Sequence, residues 1–252
     1  MQVTGVEDSV SRAQKIVKLE GFDKVDVFIA PSFTALYEVG KILQGTPLKL
    51  CGQNMHHFET GAFTGEVSVE SLLEAGCEYV LLGHSERRRI FGETDELINK
   101  KVLKALEHKL KVVLAIGETA KEREEGRTAE VNRSQLAGSL AGVPKEQMDN
   151  IVIAYEPVWA INNKHLNPDT EIHPATPKQA VEAHQIVRNW VKEQYGEEVA
   201  ESIRIQYGGS MKGSNAEELL TLPDIDGGLI GGASLTAEAL EPIIKAAVKF
   251  TR

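Results

Sequence analysis

The sequence is poor in cysteine and in positive charge, and it lacks any long apolar run. Its two cysteines, Cys51 and Cys77, have no metal-ligand spacing and are too few for a disulfide framework. They fit a reducing compartment, so a cytoplasmic location is expected. Lys plus Arg total 28 against 37 for Asp plus Glu, a net charge of −9, which argues against nucleic acid, a partner that calls for a basic face. An anionic substrate would have to be attracted by local groups, not by the overall field. No apolar stretch is long enough to span a bilayer and no signal-peptide pattern opens the chain, so no membrane partner is expected. Linkers, low-complexity segments and breaks in composition are absent too, which predicts one domain over residues 1–252.

What is present is a repeated rhythm. Apolar residues make up 42 % of the 252, enough for a large core, and the length suits one α/β barrel. Short β-branched runs alternate with longer helical patterns: "VDVFIAPS" (25–32), "LKLCGQN" (48–54), "YVLLGHS" (79–85), "KVVLAIGET" (111–119), "IVIAYEP" (151–157), "IRIQYGGS" (203–210) and "GGLIGG" (227–232). Near-continuous apolar strands are what a parallel sheet covered on both faces requires. Candidate capping boxes mark helix starts at Thr119 with Glu122, at Thr176 with Gln179 behind Pro177, and at Ser214 with Glu217. A further box, Thr4 with Glu7, precedes the stripe Val6, Val10, Ala13, Ile16, Val17 and Leu19, so a helix is expected almost at the first residue.

The chemically distinctive residues fall at the C-terminal ends of these strands: Gln53–Asn54, His84–Ser85, Glu118, Glu156, Gly208–Gly209–Ser210 and Gly231–Gly232. In a barrel that edge is one face, where the active site is built. Each residue alone says little. Strand-end glycines are usually turns, and a strand-end glutamate is more often an ion-pair partner than a base. Their joint distribution selects the barrel over a doubly wound sheet.

Four long motifs then identify a family. "GHSERRRIFGETDELINKKV" (83–102), "AYEPVWAI" (154–161), "YGGSMKGSNAEELL" (207–220) and "DIDGGLIGGASL" (224–235) closely resemble triosephosphate isomerase. The likeness runs in order from about residue 6 to the C-terminus. It implies a (β/α)8 TIM barrel that interconverts dihydroxyacetone phosphate and glyceraldehyde 3-phosphate through an enediolate, with no metal and no organic cofactor. That chemistry needs a base reaching two adjacent carbons, for which a flexible carboxylate suits, and a donor for the developing oxyanion. Glu156 and His84 match these positions. The family is itself a known case of a base and a neutral imidazole tuned by their surroundings, so those roles come with the resemblance. A helix start at "SERRRI" would disfavour a charged His84. Ser210, Gly231 and Gly232 match the phosphate-binding positions, where backbone N–H groups serve. Ser85, Glu86 and Tyr207 match supporting positions. Glu118 and Glu93 read as structural carboxylates held in ion pairs.

The resemblance also implies a homodimer through the Gln53–Ser68 loop, within "GQNMHHFETGAFTGEVS" (52–68), with Thr64 reaching the partner's active site. Two departures stand out. The family opens on a strand ending Asn-x-Lys-Met, and Met1 aligns with that methionine. We therefore expect a natural chain longer by roughly one strand. For the present sequence we expect seven strands, with a gap between "VDVFIA" and "GGLIGG". Without the family's lysine, Glu86 is left to recruit Arg87, Arg88 or water. The second departure is the lid. After Ile161 comes "NNKHLNPDTEIHPATPKQ", longer than the family's Gly-Thr-Gly-Lys and without glycine. Asn162 and Asn163 could supply left-handed conformations instead, while Lys164, His165 and His173 read as solvated. The rival reading is a catalytically silent phosphate-binding or scaffold homologue.

Overall fold

A computed structural model describes residues 5–167 and 174–250. Seven strands lie side by side in chain order: β1 (Phe28–Ile29), β2 (Lys49–Gly52), β3 (Cys77–Leu82), β4 (Lys111–Ile116), β5 (Ile151–Tyr155), β6 (Arg204–Tyr207) and β7 (Gly227–Gly228). Every neighbouring pair is parallel. Each strand overlaps one of the predicted runs; β3 starts two residues early, at Cys77.

The crossovers carry helices. α1 (Val6–Ile16) precedes β1, and α2 (Leu36–Leu43) and α3 (Val69–Glu74) flank β2. α4 (Ser85–Arg89) and α5 (Asp95–Glu107) follow β3, and α6 (Ala120–Glu124) and α7 (Thr128–Ser139) follow β4. α8 (Pro177–Tyr195) and α9 (Glu197–Ser202) lie between β5 and β6. α10 (Ala216–Leu220) follows β6, and α11 (Ala237–Lys249) follows β7.

Side chains alternate across the curled sheet. Val113 and Ala115 of β4 and Val152 and Ala154 of β5 pack inward with Cys51, Tyr79 and Leu81. The intervening Val112, Leu114, Ile151 and Ile153 pack outward in a cluster that includes Leu136 of α7 and Val187 of α8. Burial on both faces is the physical reason these runs are apolar without a break.

Among the described residues the predicted gap is present. β1 and β7 are two residues each and each pairs on one side, so among the described residues the sheet has two open edges. A groove of about 760 Å³ lies along them, lined among others by Phe28, Tyr79, Val152, Gln206, Ile243 and Ile244. Asp26, just before β1, and Arg204 of β6 form an ion pair among the residues that line it.

Two of the four predicted capping boxes form. Thr119 accepts from the Glu122 amide while Glu122 accepts from the Thr119 amide, and Thr176 and Gln179 do the same ahead of α8. The box at Thr4 falls outside the described residues, which begin at Gly5, the N-cap of α1. The one at Ser214 does not form. α10 starts after Asn215, not Ser214, and Asn215 makes no side-chain cap bond, its side chain being engaged on the preceding turn: its Oδ1 accepts from Lys212 N at 2.7 Å and its Nδ2 donates to Ser210 O at 3.0 Å.

Candidate active site

The site forms where β3 and β5 end. Gly83 leaves β3 at φ +73°, a conformation that suits glycine, and a Cβ there would meet Ala115 O at 2.7 Å. The turn delivers His84 as the N-cap of α4, with its Nδ1 facing the Glu86 amide at 3.4 Å. Arg88, on the same short helix, reaches back under this turn. It donates to Gly83 O at 2.7 Å, to Ala115 O and to Ser139 Oγ, and it pairs with Asp95. A nearly buried guanidinium thus fixes the peptide that precedes His84.

Glu156 arrives from the end of β5. Its amide donates to Ile116 O at 2.7 Å, and its side chain is 2 % exposed. The neighbouring chain is pressed close: a Cβ on Gly117 would stand 1.7 Å from Glu156 O. Only glycine tolerates that approach. The carboxylate points at α4. Its Oε2 accepts from Ser85 N at 2.9 Å, and its Oε1 lies 3.4 Å from Ser85 Oγ and 3.0 Å from His84 Nε2. The ends of β3 and β5 thus bring the expected base and electrophile, 72 residues apart in the chain, into direct contact.

This contact sets the charge of His84. Burial disfavours the imidazolium, but the Glu156 carboxylate, its hydrogen bond and the more distant Glu86 outweigh that and push the pKa up to about 9. The carboxylate thus favours a charged ring, whereas the helix N-terminus, whose Glu86 amide faces Nδ1, favours a neutral one. One carboxylate at hydrogen-bond distance is stronger than the partial positive charge of a five-residue helix.

The remaining residues are distributed as follows. Ser85 is buried and holds Glu156; Tyr207 is buried at the end of β6, with its hydroxyl pushed up to about 12 by burial. Ser210 lies three residues beyond Tyr207. Gly231 lies three beyond Gly228, and the register pairs Tyr207 with Gly228, so Ser210, Gly231 and Gly232 share the same end of the sheet. Gly231 caps the short 3₁₀ turn Gly232–Leu235 and is exposed.

Glu118 and Glu93 are structural, as expected. Glu118 is fully buried and accepts from Arg123, Asn132, Tyr155 and Trp159. Glu93 accepts from Arg87 and Lys101, both at 2.6 Å. With Arg87 on Glu93 and Arg88 on Asp95, neither arginine is recruited by Glu86.

Glu86 instead meets the lid, which the sequence did not suggest. Its Oε1 accepts from Asn163 Nδ2 at 2.8 Å. Neither Asn162 nor Asn163 has the positive φ expected of a glycine substitute; among the described residues the non-glycine ones with positive φ are Lys109 and Asp224. Asn163 works through its side chain. Lys164 and His165 are exposed, as expected, and His173 lies outside the described residues.

The sequence matches the profile of the family described as Triosephosphate isomerase over residues 2–247. It is 51 % identical over 249 residues to the triosephosphate isomerase of Chlorobium phaeobacteroides, covering 98 % of this chain and 96 % of that protein. It is 49 % identical over 241 residues to that of Chloroherpeton thalassium, covering 95 % and 92 %. To that of Chlorobaculum tepidum it is 49 % identical over 244 residues, covering 96 % of each.

Proposed function

This chain belongs to the triosephosphate isomerase family, and on that premise we propose that Glu156 is the base and His84 the electrophile of its isomerisation. The observation that carries the assignment is the buried Glu156 carboxylate resting on Ser85 and on His84 Nε2. In this resting position the carboxylate is held by donors it must release. When it turns to a substrate carbon, two things follow from the same motion. The carboxylate becomes free to take a proton from one carbon and return it to the next. His84 Nε2–H loses its acceptor and becomes available to the substrate oxygen.

The departing carboxylate also removes the main cause of the raised His84 pKa. Nδ1 then has the Glu86 amide as its partner, 3.4 Å away, and the ring becomes a neutral donor on Nε2. A neutral donor matches an enediolate oxygen without delivering a full proton to it. Phosphate is held at the β6–β7 end by Ser210 and the backbone N–H groups of Gly231 and Gly232; the exposed glycines and open space around their Cβ positions support this. Ser85, Glu86 and Tyr207 support the site without reacting.

We further read the protein as a homodimer through the Gln53–Ser68 loop. Phe58 and Phe63 stack there at 5.0 Å, and both are exposed, as is Thr64. Sedimentation velocity of wild type against Phe58→Ser/Phe63→Ser tests this, the double variant sedimenting as monomer. The two unpaired, buried thiols support a reducing compartment, the cytoplasm.

The decisive experiment for the reaction is a coupled assay from dihydroxyacetone phosphate, with equilibrium binding of inorganic phosphate in parallel. Glu156→Gln should abolish turnover and keep phosphate binding. Wild type that binds phosphate and turns nothing over would instead be the silent binding homologue.

A further inference from the structure

We propose that Asn163 is a positioning residue of the active site, folding the lid with one end of its side-chain amide and holding Glu86 off His84 with the other. The inference rests on the roles given above to His84 and Glu156.

The lid segment after the 3₁₀ turn Val158–Ala160 is folded on itself. Asn163 Oδ1 accepts from His165 N at 2.9 Å, and Asn163 O accepts from Leu166 N and Asn167 N at 3.0 and 2.9 Å. That is an Asx turn continued into one helical turn. Asn167, itself buried, closes the other side by donating to Val158 O at 2.8 Å and Ile161 O at 2.9 Å. The turn thus satisfies its own backbone without glycine. The Nδ2 group of Asn163 is left over from this closure, and it is the group that reaches Glu86 Oε1.

Glu86 has two oxygens and two claimants. Asn163 holds Oε1, while Oε2 stands 3.7 Å from His84 Nδ1, longer than a hydrogen bond. The other charged groups around this pair are committed. Glu156, from β5, is on the opposite ring nitrogen, and Arg87 and Arg88 of α4 are on Glu93 and Asp95. A carboxylate released from Asn163 has one small rotation to make before it bonds Nδ1. That bond would put a proton on Nδ1 and fix the ring as a cation. With Asn163 in place, Nδ1 keeps the Glu86 amide as its partner. The lid therefore biases the ring toward the neutral donor form that the isomerisation uses.

Three variants separate this role from a merely structural one. Asn163→Ser keeps an acceptor for the His165 amide but cannot reach Glu86. Asn163→Asp keeps the turn and sets a carboxylate against Glu86. Asn163→Asp/Glu86→Gln reverses the polarity, so that the Gln amide donates to the Asp carboxylate. Two readouts need no turnover: the rate of trypsin cleavage after the exposed Lys164, followed by mass, and the NMR titration of His84, assigned by His84→Gln. We expect cleavage at least about fivefold faster in Asn163→Asp and a return to within about twofold of wild type in the double variant, since like charges repel where the swapped pair bonds. We expect the His84 midpoint in Asn163→Ser to rise by about half a pH unit or more. An unchanged His84 midpoint, or no recovery of protection in the swapped pair, overturns the proposal. Turnover measured alongside distinguishes the two readings. If the lid and titration results hold while wild type is inactive, the Asn163–Glu86 link stands and the isomerase roles fail.

Discussion

Replacing Glu156 by Gln should remove a specific pH dependence from the stability of this protein. His84 Nε2 and Glu156 Oε1 are 3.0 Å apart, and at an effective dielectric of about 20 that separation corresponds to an attraction of about 5.5 kcal/mol. Burial of the ring opposes it. The net result is a pKa raised from 6.5 to about 9, which at about 1.4 kcal/mol per pH unit is about 3 kcal/mol. Because the folded value lies above the unfolded one, this contribution is fully present below pH 6.5, where both states bind the proton. It is lost as pH rises from 6.5 through 9. Urea unfolding at pH 6.5 and at pH 9.5 gives the change for wild type. The same pair of measurements on Glu156→Gln cancels the other titrating groups. We expect wild type to lose about 3 kcal/mol more than the variant across this interval. NMR should show the His84 midpoint falling by about two pH units or more in Glu156→Gln, since burial then acts with only Glu86 against it. A wild-type midpoint below 6.5, or equal losses of stability in the two proteins, would refute the resting ion pair.

Other substitutions probe other parts of the frame. His84→Gln should lower kcat by about 2.7–4 kcal/mol in barrier, roughly a hundred- to a thousandfold, in the coupled assay, because an amide is a poorer donor to the enediolate. Arg88→Ala leaves Asp95 and the Gly83 and Ala115 carbonyls without their buried donor, and should cost about 3–5 kcal/mol in urea unfolding. Thr119→Ala removes the hydroxyl half of a formed capping box and should cost about 1 kcal/mol without moving the His84 titration. Gly117→Ala drives a Cβ into Glu156 O and should cost about 3 kcal/mol, a fall of about 6–12 °C in Tm by calorimetry, with loss of turnover.

How much of this was legible in the sequence depends on whether the information is local. The strands are readable because burial on both faces leaves an unbroken apolar run. Their lengths are not: "VDVFIAPS" suggests eight residues, yet β1 pairs over Phe28–Ile29, since an open edge has a ladder on one side. The boxes at Thr119 and Thr176 are readable because both halves sit within one turn of chain. The one at Ser214 fails through a competitor in the same turn, Asn215, whose side chain ties Lys212 to Ser210. His84 and Glu156 are readable as strand-end residues within recognisable motifs, but the charge of His84 is not. It depends on a carboxylate 72 residues away. Arg88 hides among three consecutive arginines, and nothing in "SERRRI" says which one turns inward. Asn163 is the extreme case: it reads as a stand-in for glycine, and its contact with Glu86 spans 77 residues.

The five residues from His84 to Arg88 carry a disproportionate share of the chemistry, and the reason is geometric. A short helix start offers free N–H groups that point out along its axis. Here the Ser85 amide holds the base and the Glu86 amide faces the imidazole. The Glu86 side chain then holds the lid, so base, ring and lid are positioned by two successive residues of one turn. Such a turn has little core packing of its own: within α4 only Ser85 is buried. Its position must come from elsewhere, and Arg88 supplies it, bonded at once to the preceding turn, to β4 through Ala115 O and to α7 through Ser139. A displacement of Arg88 would therefore move the base, the electrophile and the lid contact together. A change at Asn163 or Ser85 would move one of them. The site is built so that the relative geometry of its parts is set within α4, and the nearly buried Arg88 is the cation that ties α4 to both β4 and α7.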